Sequence, residues 1–168
     1  MATPETKGLP ASCECGYIRL TTPPQYRGMA HCHCTTCQKQ SGSAFGTSLY
    51  FASDEVFPLP KDVEEKLSVY THLADSGNTM RCYFCPKCGV RMMHSALLPD
   101  GTLRPIMSFK AGTIDGELDW KALKARHIFT RSAKMPLAAE WECFEGYPPD
   151  MAQKPKGEDG GKEKEKGE

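Results

Sequence analysis

The sequence predicts a mainly β protein with little helix. Short runs of alternating apolar and polar residues make up most of the chain, as expected for strands that bury one face. Gly, Pro and Asn residues separate these runs, and closely spaced cysteines fall in several of the turns between them. Short strands joined by turns predict one small β-rich domain whose ends are fastened at the cysteines.

The predicted strands follow one another along the chain. The first covers 16–22 and ends at Pro23-Pro24, because proline cannot donate to a strand ladder. Helical spacing is limited to 36–40 and 118–125, each long enough for one or two turns. The other alternating runs are 45–51, 66–72, 79–84, 90–94, 103–109 and 126–131.

The predicted domain covers 11–150. The range 1–10 contains Pro, Thr and Gly and predicts a flexible amino terminus. The range 151–168 predicts a disordered tail of mixed charge, because its final 15 residues include no hydrophobic side chain and carry five lysines and five acids.

Composition excludes several classes of function. The 168 residues carry 21 basic and 21 acidic side chains, so no overall positive charge favours nucleic acid or an anionic membrane as a partner. The mean hydropathy is −0.49, and no apolar run approaches the roughly 20 residues of a membrane span. The amino terminus has no apolar segment of the secretory type, so we expect a cytoplasmic protein with reduced thiols.

The nine cysteines are the unusual feature of the composition. An odd number argues against a complete disulfide framework. Cysteines separated by only one or two residues would form strained disulfides, but a turn can bring their sulfurs to one metal ion. Thiolate-rich sites select zinc, iron–sulfur clusters or copper(I). Cys85-Pro-Lys-Cys88-Gly89 resembles a zinc knuckle, whereas the further Cys-Pro of a ferredoxin motif is missing after Cys88. Zinc is therefore the predicted metal.

Four cysteines are expected to form a closed structural zinc site. Cys13 and Cys15 from the start of the chain would join Cys85 and Cys88 from its middle, and zinc sites of this kind have four protein ligands. Cys82 lies in a strand-like run and is expected to be a core thiol, although it is also an alternative to Cys85 in this set.

Three further cysteines are expected to form a second zinc site. Cys32, Cys34 and Cys37 supply three close thiolates, and three protein ligands beside an open position are typical of a catalytic zinc. We therefore expect two zinc ions per chain, one structural and one catalytic. Cys143 has no assigned role.

Three cysteine motifs in order carry a family resemblance. They are Cys13-Glu-Cys15-Gly16, then Cys32-His-Cys34-Thr-Thr-Cys37 followed by Gln-Lys-Gln-Ser-Gly-Ser-Ala-Phe, and Arg81-Cys-Tyr-Phe-Cys85-Pro-Lys-Cys88-Gly89. This order resembles the glutathione-dependent formaldehyde-activating enzyme family, which also contains centromere protein V. The resemblance runs from Cys13 to Tyr147. It implies a zinc-bearing β-tent-like fold and the same division of the cysteines into four structural and three catalytic ligands.

The resemblance also implies a reaction. The family's named enzyme adds the thiol of glutathione to formaldehyde to give S-(hydroxymethyl)glutathione, and the reverse reaction cleaves a carbon–sulfur bond. The leading hypothesis is therefore a zinc-dependent carbon–sulfur lyase whose substrates are an aldehyde and a thiol, with glutathione as the candidate thiol. A second hypothesis keeps the zinc but replaces the substrate with another small carbonyl or imine metabolite. A third is a non-catalytic, zinc-stabilised binding module, which the balanced charge of the tail does not favour for chromatin.

Three residues are candidates for binding the substrate. Ser41 and Ser43 flank Gly42 in a segment whose hydroxyl and N–H groups can meet an anionic group. Arg81 can pair with a carboxylate. Each has an ordinary structural alternative: a turn for the serines, and an exposed strand position for the arginine. His33 lies between two candidate ligands, but the middle side chain of a Cys-x-Cys turn normally points away from the metal.

Overall fold

A computed structural model describes residues 7–74, 77–120 and 123–150, and the protein is mainly β, as predicted. The helices within these residues are α1 (Thr35–Ser41), α2 (Ser53–Val56) and α3 (Lys61–Glu64), with 3₁₀ turns at Ala111–Thr113 and Thr130–Ser132. None of the helices in this part of the chain is long and apolar enough to cross a membrane. The strands are β1 Pro10–Ser12, β2 Arg19–Thr21, β3 Gly28–Cys32, β4 Gly46–Ala52, β5 Ser68–Leu73, β6 Thr79–Phe84, β7 Arg91–Ala96, β8 Ile106–Lys110, β9 Arg126–Ile128 and β10 Cys143–Phe144.

The strands form a small and a large sheet. β1 and β2 make an antiparallel pair, and the other eight strands follow the order β10-β9-β3-β4-β8-β7-β6-β5. Neighbours are antiparallel except that β9 runs parallel to both β3 and β10. This parallel pairing places Cys32 opposite Ile128 and so joins the second cysteine motif to the last third of the domain.

The strand predictions agree with the structure where alternation is strong. The bounds of β6 match the predicted range 79–84, and the turn predicted over 36–40 is α1. β3 was not predicted, because Gly-Met-Ala-His-Cys has no clean alternation and is shielded on both sides by β4 and β9. The helix predicted over 118–125 was wrong for the described residues of that range, which are irregular.

The large sheet separates an apolar core from a polar face. Leu49 and Phe51 on β4 pack with Met107 and Phe109 on β8, and each of these four side chains is no more than 1% exposed. The rings of Phe51 and Phe109 meet edge to face at 5.2 Å between centroids. Because successive strand side chains point to opposite faces, the residues between them face the other way and line a cavity.

Two residues of the range 1–10 are bonded to the rest of the domain. Leu9 and Pro10, from the range expected to be flexible, make backbone hydrogen bonds: Thr22 N–H donates to the Leu9 carbonyl at 2.9 Å, and Asp115 N–H to that of Pro10 at 2.8 Å. Residues 1–6 and the predicted tail over 151–168 lie outside the described residues.

Candidate active site

Four cysteines from two distant turns meet at the edge of the core. The Sγ atoms of Cys13, Cys15, Cys85 and Cys88 all lie within 4.8 Å of one another. The Cys13–Cys15 and Cys15–Cys85 sulfur distances are 3.6 and 3.8 Å. Four thiolates at 2.3 Å around a tetrahedral zinc would be about 3.8 Å apart, so this four-cysteine cluster fits zinc without rearrangement.

Two similar turns build the four-cysteine cluster. Gly16 N–H donates to the Cys13 carbonyl and Gly89 N–H to the Cys85 carbonyl, both at 2.9 Å. Both glycines have positive φ, 70° and 75°, which L residues rarely adopt. Backbone N–H groups also point at sulfur, and those of Cys15 and Val90 lower the pKa of the Cys88 thiol to about 6. These N–H groups therefore favour the thiolate form of Cys88, the form that binds a metal.

Cys82 lies outside this cluster, which resolves the alternative left by the sequence. Its thiol is fully buried on β6, and its Sγ lies 3.9 Å from Nδ1 of His72. Cys82 is separated from the cluster because β6 ends at Phe84, before the turn that carries Cys85. Cys143, on β10, is exposed and free.

The second cysteine motif curls around the start of α1. The Sγ atoms of Cys32, Cys34 and Cys37 lie within 4.8 Å of one another and form the three-cysteine cluster. Cys34 is the N-cap of α1, and its sulfur accepts a hydrogen bond from the Cys37 N–H at 3.4 Å. Gly42, with φ 60°, ends the helix in the left-handed conformation.

The three thiols strongly affect one another's ionisation. Hydrogen bonds from Cys32 and Cys37, together with backbone N–H groups, lower the pKa of Cys34 to about 2. The pKa of Cys32 is raised, first by its hydrogen bonds with Cys34 and Cys37 and then by burial. One thiolate therefore forms readily, whereas three adjacent thiolates require a cation between them. This donor set fits zinc with three protein ligands.

A buried polar network holds the loop of the three-cysteine cluster. The His33 ring is fully buried, and its Nε2 lies 3.0 Å from Nδ1 of His127. The buried Gln38 amide donates to the His33 carbonyl and, at 2.8 Å, to that of Ser132. His33 is therefore engaged with β9, which agrees with a middle side chain that points away from the metal.

Lys110 brings a buried positive charge close to the three-cysteine cluster. Its Nζ has no hydrogen-bond partner among the described residues, and burial lowers its pKa. A Cβ added at Gly46 would be 3.3 Å from both the Lys110 Nζ and the Cys37 Cβ, so the ammonium lies beside this cysteine. A cation here offsets part of the negative charge of the thiolates.

The three-cysteine cluster opens into a cavity of about 710 Å³ on the polar face of the large sheet. Register places Tyr50 opposite Ser108, Ser108 opposite His94, and His94 opposite Cys82, so one row of polar side chains crosses four strands. Burial, followed by the charges of Lys110 and Arg91, lowers the pKa of His94, so its imidazole is neutral at neutral pH. Nδ1 of His94 is buried and has no partner within the described part of the chain.

The residues suggested by sequence for substrate binding lie elsewhere. The Ser41 hydroxyl donates to the carbonyls of Cys37 and Phe45 at the end of α1. Ser43 is exposed, and Arg81 is exposed with its guanidinium over the Tyr83 ring. None of the three lines the cavity, because helix capping occupies the first and strand alternation turns Arg81 to the opposite face from Cys82.

The cavity residues that sequence reasoning missed come from distant strands. His94 and Ser108 belong to predicted strands, and alternation alone would have given the face of each. Placing them in one row with Tyr50 also requires the order of the strands in the sheet and their register. The spacing of residues along the chain does not contain that information.

Comparison with known proteins supplies one match. The family model described as "Glutathione-dependent formaldehyde-activating enzyme" matches residues 9–132, which include both cysteine clusters and nearly all of the cavity floor. No curated protein matches the chain significantly.

Proposed function

Since the chain belongs to the glutathione-dependent formaldehyde-activating enzyme family, we propose that it is a zinc-dependent carbon–sulfur lyase that forms and cleaves adducts of a thiol and an aldehyde. The observation that carries this proposal is the position of the three-cysteine cluster in the wall of a cavity large enough for a small peptide thiol. The four-cysteine cluster has the role of a structural zinc site in this proposal.

The reaction adds S–H across a carbonyl group. A carbon–sulfur bond forms as the C=O π bond breaks, and the thiol proton is transferred to the carbonyl oxygen, so no oxidant or reductant is needed. A zinc ion held by Cys32, Cys34 and Cys37 would supply Lewis acidity that favours the thiolate form of a substrate thiol near neutral pH.

The chain's own residues would bind and orient the reactants. The three cysteines are held on a loop fixed by Gln38, so their sulfurs are preorganised. The neutral His94 and the Tyr50 hydroxyl, whose pKa is raised by burial, keep their protons at neutral pH and can hydrogen-bond to the hydroxyl group of the adduct. Lys110 lies beside Cys37 and would offset part of the charge of the thiolates.

A cytoplasmic location is part of the same proposal, because unpaired cysteines persist under reducing conditions. All nine cysteines are free in the structure. The small-molecule partners expected from the family are glutathione and an aldehyde.

The test must separate catalysis from the spontaneous addition of thiols to formaldehyde. Two-dimensional exchange NMR at equilibrium measures adduct formation and cleavage directly. We expect the zinc-loaded protein to raise the exchange rate above background and Cys34→Ser to return it to background, because Cys34 is the central sulfur of the cluster. Cys143→Ser is the matched control, since it removes an exposed cysteine outside both clusters. An exchange rate at background with the wild-type protein and several thiols would contradict the proposal, whereas activity only with carbonyls other than formaldehyde would favour the second hypothesis.

A further inference from the structure

Positive charge is concentrated on the cavity although the whole chain is neutral. The chain has 21 basic and 21 acidic residues. Among the described residues that line the cavity, one is acidic, Asp150. The basic residues of the lining are Arg27, Arg91, Arg104, Lys124, Arg126 and Arg131.

The one acidic group of this lining is already paired. Asp150 Oδ2 accepts a hydrogen bond from Arg126 at 2.6 Å, and this bond lowers the pKa of Asp150. The side chain of Asp150 is also 61% exposed, which places it at the rim. An ammonium group on a ligand would therefore compete with Arg126 for this carboxylate.

Two of the basic residues are available to a ligand. Arg91 and Lys124 form no ion pair within the described residues, in contrast to Arg27, which pairs with Glu55 at 3.0 Å. Arg91 begins β7, where a shift of register pairs it with Phe84 and so puts it on the same face of the sheet as His94, in the lining of the cavity. A guanidinium here can bind a carboxylate or phosphate through two parallel hydrogen bonds.

From this distribution of charge we propose that the cavity selects a thiol whose non-reacting groups are all anionic and which has no ammonium group. The inference rests on the proposed thiol–aldehyde reaction and narrows its thiol. Glutathione has two carboxylates and one ammonium. Apart from Asp150, which Arg126 pairs, and the three cysteine sulfurs, whose negative charge a bound zinc ion and Lys110 would offset, the ammonium would meet positive charge and neutral side chains among the described lining residues. An unfavourable interaction of about 1.4 kcal/mol corresponds to a tenfold weaker affinity.

A pair of ligands that differ in one group tests this inference. Glutaryl-Cys-Gly is glutathione with hydrogen in place of the ammonium, so the thiol, both carboxylates and the length of the molecule are retained. We expect titration calorimetry with the zinc-loaded protein to give about tenfold tighter binding of glutaryl-Cys-Gly than of glutathione. The ratio of the two dissociation constants should shrink in about 0.5 M salt, because screening weakens charge–charge interactions.

Variants of the protein locate the effect. Arg91→Gln should weaken binding of glutaryl-Cys-Gly several-fold, and Lys61→Gln, which removes a charge that is 90% exposed on α3, should leave it unchanged. The melting temperature of each variant checks that it folds. Equal affinity for the two ligands, tighter binding of glutathione, or no binding of either would overturn the inference.

Binding and turnover fail independently in this design. A tenfold preference without any acceleration of adduct exchange would refute the catalytic proposal and leave the ligand preference standing. Acceleration of adduct exchange together with equal affinities for the two ligands would support the catalytic proposal and refute the ligand preference.

Discussion

Cys85→Ser should destabilise the domain strongly, whereas Cys34→Ser should change its stability little. The sulfur contact between Cys15 and Cys85 spans 70 residues. In the loop-entropy treatment of a cross-link, closing about 70 residues stabilises the folded chain by about 4 kcal/mol. Small domains have a total stability of about 5–15 kcal/mol, so the loss of this site removes a large share of it.

The three-cysteine cluster closes a far shorter loop and so contributes less to folding. Cys32 and Cys37 are close in sequence, and serine at position 34 keeps an oxygen acceptor at the N-cap of α1. We therefore expect a fall in Tm of about 15 °C for Cys85→Ser and less than about 5 °C for Cys34→Ser.

Thermal unfolding followed by near-UV circular dichroism, with zinc content measured on the same samples, is the assay. Cys143→Ser, at an exposed cysteine, sets the effect of a neutral Cys→Ser change. Falls in Tm that agree within about 3 °C for Cys85→Ser and Cys34→Ser would refute the division of labour between the two clusters.

Three further predictions follow from the same site. Gly46→Ala should destabilise by about 1 kcal/mol or more and loosen metal in the three-cysteine cluster, because its Cβ would press on Cys37 and Lys110 at 3.3 Å; Gly112→Ala, with open space around it, is the control, and equal Tm values would count against the packing argument. The folded state keeps His94 neutral, so its contribution to the free energy of unfolding is present above about pH 6.5 and is lost as the pH falls below it. His94→Gln should reduce the slope of the free energy of unfolding against pH by about 1.4 kcal/mol per pH unit in this range. An unchanged slope in urea unfolding measured at several pH values would contradict this prediction. A mild chelator should remove one of two zinc ions first, because the three-cysteine cluster opens into the cavity whereas the four-cysteine cluster includes two buried sulfurs. Metal analysis measures the loss, and simultaneous loss of both ions would argue against one open and one closed site.

Local patterns predicted which cysteines cluster better than which residues line the cavity. Two residues separate Cys85 from Cys88, so their spacing alone indicates that their sulfurs can converge. The four protein ligands of a structural zinc site extended the set to Cys13 and Cys15, and the resemblance of the motifs implied the same set. Ser41 lies at the end of a short helix, where its hydroxyl donates to the helix's own carbonyls, and Ser43 is exposed, so neither lines the cavity.

The cavity floor could not be predicted in the same way. His94 and Tyr50 are 44 positions apart in the printed sequence and become neighbours in one row only through the pairing of β4 with β8 and of β8 with β7. The parallel strand β9 was placed correctly in sequence, but its insertion beside β3 depends on long-range pairing that no local signal encodes.

The Gln38 bridge has a consequence for the order in which the chain matures during synthesis. Gln38 and His33 each bond to a partner 94 residues later, so the loop that carries the three-cysteine cluster cannot settle until Ser132 has been made. The cysteines and turns of the four-cysteine cluster extend as far as Val90. At about 5–20 residues per second, the ribosome takes about 2–8 s to go from Val90 to Ser132. The four-cysteine cluster can thus form before the loop of the three-cysteine cluster is fixed, and in the newborn chain that loop lacks its long-range hydrogen bonds for this interval.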